Sequence, residues 1–148
     1  MNHLSFEEEL AQTGHLICPN VGNSMLPLIR QGRDLMVIVP KPQRRLRPLE
    51  AVFYRRGEKY LLHRVFWRRK KDYLIGADNR IFVEKGITDE AIIGVLHTIL
   101  RDGKTELPVH SFTYQVYLFL WYLIYPLRVF AMMTKKIQKK YRIQKRNR

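Results

Sequence analysis

Ser24, His63 and Asp78 have side chains of the types that together carry out nucleophilic hydrolysis. A serine is a weak nucleophile unless a neighbouring base takes its proton, and a carboxylate can orient that base. Each residue also has a more ordinary interpretation. Ser24 can form a turn or a helix cap, His63 can be a core histidine, and Asp78 can form an Asx turn. Residue type alone leaves both interpretations open.

The segment that carries His63 is predicted to be a β-strand over residues 59–67. Its alternation puts four side chains on one face: Leu61, His63, Val65 and Trp67. An imidazole on an apolar face needs a polar partner. His63 is therefore a candidate for a general base that serves Ser24, and equally for a histidine bonded to the backbone of the core.

The remaining segments predict a compact, mainly-β domain. An amphipathic helix is expected over residues 3–13 and ends near Gly14. Short apolar runs bounded by Gly, Pro and charged residues predict further strands at 34–39, 50–54, 72–75 and 92–100. The first 17 residues contain no apolar core, so no signal peptide is expected there.

Four motifs in this order resemble the conserved boxes of signal peptidase I. "GNSMLPLIRQGRDLMVI" resembles the nucleophile box, Ser-Met-x-Pro followed by Gly-Asp and an apolar strand. "RPLEAVFYRRGEKYLLHRV" resembles the next boxes, where a strand carries the base directly before Arg-Val. "GADNR" resembles the Gly-Asp-Asn-Arg box, and "AIIGVL" resembles the Ile-x-Gly strand that closes the domain. The resemblance covers residues 20–100.

The resemblance implies a β catalytic domain like those of signal peptidases and the self-cleaving SOS repressors. Bacterial signal peptidases and those repressors carry lysine as the base. The histidine here is similar to the endoplasmic-reticulum, archaeal and sporulation-associated branch. Carried over residue by residue, the motifs make Ser24 the nucleophile, His63 the general base and Asp78 the third member. The family's chemistry requires no cofactor and no metal.

In the nucleophile turn, Met25 and Pro27 match the family pattern and are expected to shape the turn. The turn and the last box also depart from the pattern. Gly22 stands where many members carry a hydroxyl that helps the oxyanion, so the backbone N–H of Ser24, with Asn23, is expected to do this instead. In the last box, Ala77 separates the glycine from Asp78. Two residues, Glu84 and Asp89, are candidates for a further acid that usually follows this box.

The C-terminal segment differs in composition from the rest of the chain. The formal net charge is +14, and nine of the 27 Lys and Arg residues lie in 128–148, where there is no acidic residue. Residues 112–133 are strongly apolar and are expected to lie in a membrane interface or to cross the membrane once. An aromatic and basic stripe is expected along this helix: Tyr114, Tyr117, Trp121, Tyr125 and Arg128. Pro126 predicts a break.

Three parts are therefore predicted: an N-terminal lead-in (1–19), a serine-peptidase-like domain (20–110) and a membrane-associating helical segment with a basic tail (111–148). The leading hypothesis is a membrane-associated serine endopeptidase that cleaves a signal or leader peptide and contacts lipid through residues 112–148. The alternative is a non-catalytic module of the same fold whose basic surface binds lipid or nucleic acid. No nucleic-acid motif is present, so no nucleic-acid partner is expected. The single cysteine, Cys18, excludes a disulfide framework.

Overall fold

The computed structural model describes residues 5–146. The chain divides into two compact units, Met1–Ser111 and Phe112–Arg148. The first unit consists of one helix followed by an antiparallel sheet, and the second consists of helices only.

The N-terminal helix α1 spans Phe6–Thr13 and has sequence-encoded signals at both ends. Ser5 and Glu8 form a capping box, in which each side chain accepts a hydrogen bond from the other residue's backbone N–H. Gly14 ends the helix in the left-handed conformation, with φ of 75°. The predicted helix is thus confirmed over α1, whereas its residues 3 and 4 lie outside the described range.

Eight antiparallel strands form one sheet, so the mainly-β prediction is confirmed. The strands are β1 (Leu16–Pro19), β2 (Asp34–Pro40), β3 (Ala51–Arg56), β4 (Lys59–Arg68), β5 (Tyr73–Gly76), β6 (Val83–Ile87), β7 (Ile92–Arg101) and β8 (Thr105–Pro108). Their order is β1-β2-β7-β3-β4-β5-β6, and β8 pairs with β7. A short 3-10 helix, Asp89–Ala91, precedes β7. The strands β1, β6 and β8 were not predicted, because each spans only four or five residues, too few for a clear apolar run or alternation.

One face of the sheet packs into a hydrophobic cluster that borders the candidate site. Its members come from β3, β4, β5, β6 and β7 and from the basic loop before β3: Leu46, Val52, Tyr54, Val65, Tyr73, Ile75, Ile87 and Ile92. Leu61 packs against this cluster, as the predicted alternation of β4 requires. Trp67 does not follow that alternation, because the β4–β5 register shifts between Val65 and Trp67, and Trp67 is 63% exposed.

The second unit contains helices α2 (Phe112–Leu123) and α3 (Tyr125–Arg146), which are bent by 53° relative to each other. Pro126 lies in the first turn of α3, where a missing N–H costs least. The aromatic stripe continues across the bend. The rings of Tyr117 and Trp121 stack at 5.9 Å, and the Arg128 guanidinium carbon lies 3.3 Å from the Trp121 ring centroid. Neither helix is long and apolar enough to cross a bilayer alone, whereas the bent pair meets the length and composition required.

Candidate active site

Ser24 lies in the turn between β1 and β2, and this turn is held from both sides. Beneath it, Met25 and Ile29 are fully buried, and the Ile29 N–H donates to the Met25 carbonyl at 3.0 Å. Above it, Asn79 donates from its backbone N–H to the Ser24 carbonyl and from its side chain to the Asn23 carbonyl, each at 3.0 Å. The loop that carries "GADNR" therefore clamps the turn that carries the serine.

The turn is also tied at its two ends. Gly22, with φ of 89°, donates its N–H to Oε1 of Gln31 at 2.8 Å. At the start of β2, the buried carboxylate of Asp34 accepts from the Arg30 N–H at 2.8 Å and from the Arg33 side chain. Burial raises the pKa of the Asp34 carboxyl, but the hydrogen bonds from the Arg33 side chain and the Arg30 N–H outweigh it and lower this pKa below its usual value. The Gly-Arg-Asp sequence thus closes the turn before the strand begins.

Two turn residues that were expected to shape the serine environment differ in burial. Met25 is a core residue with no exposed surface, and Pro27 is exposed on the outside of the turn. The Leu26–Pro27 peptide bond is cis. Ser24 itself is partly exposed, and no hydrogen bond from its backbone N–H is formed within residues 5–146. That N–H is therefore a candidate donor to an oxyanion, the role that the sequence predicts for it.

His63 lies on β4 and shares a face with Leu61 and Val65, as predicted. Its partner across the hairpin is Val52, which makes Tyr54 its diagonal neighbour on the same face. His63 Nδ1 lies 3.0 Å from the Tyr54 hydroxyl. That hydroxyl donates to Oε2 of Glu84 on β6 at 2.8 Å, and the same oxygen accepts from Arg56 Nη1 at 3.1 Å. The polar partner that an imidazole on an apolar face needs is thus a tyrosine.

Ser24 and His63 line the same cavity of about 360 Å³. Its rim carries two exposed apolar side chains, Val21 at 80% and Phe82 at 71%. Within the described residues, no hydrogen bond joins Ser24 Oγ to His63. Such bonds are often long in unliganded enzymes and tighten when substrate binds. The two side chains therefore face a common space that is large enough for a peptide segment.

The environment of His63 favours the neutral form of its imidazole. Burial lowers the pKa of His63, Glu84 opposes this shift, and the charges of Arg56 and Arg80 lower the pKa further. Asp78 raises the pKa of His63, and its effect is smaller than those of burial, Glu84, Arg56 and Arg80. A neutral imidazole is the form that can accept a proton from a serine.

The carboxylate of Asp78 is bound to Arg64, a contact that the motif did not predict, and its expected role beside His63 stays a prediction. Asp78 Oδ1 accepts from Arg64 Nε and Oδ2 accepts from Arg64 Nη2, both at 2.8 Å. Arg64 is fully buried and also donates from Nη1 to the Leu49 carbonyl at 2.8 Å. The physical reason is alternation: Arg64 directly follows His63 in β4 and points to the opposite face, where Asp78 meets it.

A second, smaller cavity of about 140 Å³ adjoins Ser24. Its walls are mostly apolar and come from α1, β1, β2, β3 and β4, with Phe6, Cys18, Met36, Phe53 and Leu62 among them. Burial raises the pKa of the Cys18 thiol to about 11, so this thiol remains protonated at neutral pH. Within residues 5–146, no group of three or more His, Cys, Asp or Glu side chains is arranged to hold a metal ion.

Sequence reasoning missed Asn79 and Tyr54 and left Glu84 as one of two candidate acids. The sequence did contain a signal for Tyr54. The tight turn at Gly57-Glu58 pairs Arg56 with Lys59, and the register that follows places Tyr54 diagonally across from His63. Glu84 had no comparable signal, because β6 itself was not predicted. No protein-family model matches the chain, and no curated protein or solved structure shows significant similarity to it.

Proposed function

We propose that this protein is a serine endopeptidase that acts on a peptide at a membrane surface, with Ser24 as nucleophile and His63 as general base. The observation that carries the proposal is that Ser24 and His63 line the same cavity. A neutral His63 and a Ser24 N–H with no partner in the described chain are consistent with it. The resemblance of the motifs to those of signal peptidase I supports the same reaction.

In the proposed reaction, His63 takes the proton from Ser24 Oγ as that oxygen attacks the scissile carbonyl carbon. The oxyanion that forms accepts a hydrogen bond from the Ser24 N–H. His63 then gives its proton to the leaving amine, the C–N bond breaks and an acyl-serine remains. Water, deprotonated by His63, then attacks the ester carbon. The bond from that carbon to Ser24 Oγ breaks, Oγ takes the proton back from His63, and the second product leaves as a carboxylic acid. No cofactor takes part.

The decisive experiment is labelling of the full-length protein with a serine-directed acylating probe, with the modified residue located by mass spectrometry. We expect modification at Ser24, no modification in Ser24→Ala, and a rate at least about 10²-fold lower in His63→Gln. Ser111→Ala is a matched control, since Ser111 Oγ donates to the Pro108 carbonyl and Ser111 is not among the residues that line the cavity. If folded wild-type protein is not labelled at Ser24, the non-catalytic binding module is the correct alternative.

Support for the membrane part of the proposal comes from α3. Leu127, Phe130, Met133 and Ile137 recur every three or four residues and are all more than half exposed. Lys135, Lys139 and Arg142 recur at the same intervals, about a half-turn away, and line one common surface. A helix with an apolar stripe opposite a basic one binds at the headgroup level of anionic bilayers.

Flotation of the full-length protein with lipid vesicles tests this part. We expect recovery with phosphatidylglycerol-containing vesicles and much less with pure phosphatidylcholine vesicles. Charge reversal at Lys135, Lys139 and Arg142 should abolish the difference. The matched control reverses three exposed basic residues of the first unit: Arg68, Lys70 and Lys71. Equal loss in both triple variants would mean that net charge alone, rather than α3, causes the binding.

A further inference from the structure

The hydroxyl of Tyr54 connects the candidate base to a carboxylate. It lies 3.0 Å from His63 Nδ1 and 2.8 Å from Glu84 Oε2. Tyr54 has no exposed surface, and its ring lies 5.8 Å from the imidazole, so it has little freedom to turn elsewhere. Arg56 holds Glu84 from the other side through an ion pair at 3.1 Å. The three side chains therefore form an ordered chain from β4 through β3 to β6.

The direction of these hydrogen bonds follows from counting protons. A phenol has a single hydrogen, and a carboxylate can only accept. Burial, followed by the hydrogen bond to Glu84, raises the pKa of Tyr54, so the hydroxyl keeps its proton and donates it to Glu84. Its oxygen can then only accept from His63, which requires the proton of the neutral imidazole to be on Nδ1. Nε2 is left with a free lone pair.

We propose that Tyr54 and Glu84 are positioning residues that hold His63 in the Nδ1–H tautomer, so that Nε2 can accept the proton of Ser24. This inference rests on the proposed function. In a Ser-His-Asp arrangement, a carboxylate bonded directly to the histidine orients it. Here Tyr54 and Glu84 together orient His63, and Asp78 accepts a hydrogen bond from Arg64. Neither Tyr54 nor Glu84 contacts the substrate in this role.

The test combines the rate of Ser24 labelling with ¹⁵N NMR of the histidine side chains, which distinguishes the two neutral tautomers. The His63 signal is assigned by its loss in His63→Gln. We expect Nδ1–H in the wild type and a shift towards Nε2–H in Tyr54→Phe. The same substitution should slow labelling by roughly 10- to 100-fold, part of the roughly 10²- to 10⁴-fold contribution of a general base. Glu84→Gln should act in the same direction.

Tyr73→Phe is a matched control. Tyr73 is equally buried, and its hydroxyl donates to the Asp89 carboxylate at 2.8 Å, away from Ser24. It should lose stability comparably to Tyr54→Phe and keep both the wild-type tautomer and the wild-type labelling rate. A purely structural role for Tyr54 would make the two variants behave alike.

The outcomes separate this inference from the proposed function. An Nε2–H tautomer in the wild type, or a tautomer unchanged in Tyr54→Phe, overturns the inference even if Ser24 is labelled normally. A changed tautomer with an unchanged labelling rate also overturns it. Failure of the wild type to react at Ser24 overturns the peptidase proposal, whereas the NMR measurement still decides how His63 is held.

Discussion

Arg64 and Asp78 form a buried ion pair with two hydrogen bonds of 2.8 Å, and neither side chain has exposed surface. The pair joins β4 to the loop that clamps the serine turn. This ion pair gives Asp78 a structural role, and the catalytic role that the motif implies for Asp78 stays a prediction.

We predict that Asp78→Asn destabilises the protein by about 3–5 kcal/mol, because it leaves the Arg64 guanidinium buried without its counter-charge. The free energy of unfolding in urea measures this loss. Asp72→Asn is a matched control with an exposed partner, Arg69, and should leave stability nearly unchanged. Normal stability of Asp78→Asn with a large loss of Ser24 labelling would instead support a catalytic Asp78.

Asn79→Ala is expected to slow Ser24 labelling about 10-fold, since it removes the side-chain hydrogen bond to the Asn23 carbonyl and loosens the serine turn. The backbone bond to Ser24 remains, so the loss of stability should be only about 0.5–1.5 kcal/mol. Labelling kinetics and thermal unfolding of the same samples measure the two effects. A labelling rate equal to that of the wild type would show that the clamp is unnecessary.

Arg80→Gln should change the pH dependence of Ser24 labelling. Labelling falls as His63 becomes protonated, and the charge of Arg80 lowers the pKa of His63. Removing that charge raises the pKa, so the acid limb of the rate profile should move to higher pH. Arg69→Gln, which lies away from the cavity, should leave the profile unchanged. A shift of the Arg80→Gln limb to lower pH would contradict the electrostatic assignment.

Gly94→Ala is predicted to destabilise the domain by about 1–3 kcal/mol. A Cβ at Gly94 would lie 2.5 Å from the Val39 carbonyl oxygen, and that backbone is fixed by the pairing of β2 with β7. Gly76→Ala is the comparison, because the three atoms nearest to its Cβ would all belong to the Phe66 ring, a side chain that can move. Urea unfolding ranks the two variants, and equal stabilities would argue against the close approach of β2 and β7.

The strongly patterned elements of the fold could be predicted from the sequence, and the weakly patterned ones could not. The strand β4 has a clear alternation, and α1 carries its own cap residues Ser5 and Gly14. The strand β6, with sequence VEKGI, has no such pattern and is a strand because β5 pairs with it. Local preferences decide the first kind of element, whereas long-range pairing decides the second.

The candidate site divides in the same way. The sequence alone determined that Ser24 lies in a turn before a strand and that His63 occupies the apolar face of another, because turn chemistry and alternation are local properties. Only the tertiary structure shows which carboxylate lies next to which partner. Glu84 lies two strands from β4 in the sheet and reaches His63 through Tyr54, and Asp78 meets Arg64 on the opposite face. Such pairings depend on how the strands are brought together in space. Residue types and their spacing along the chain carry no information about that arrangement.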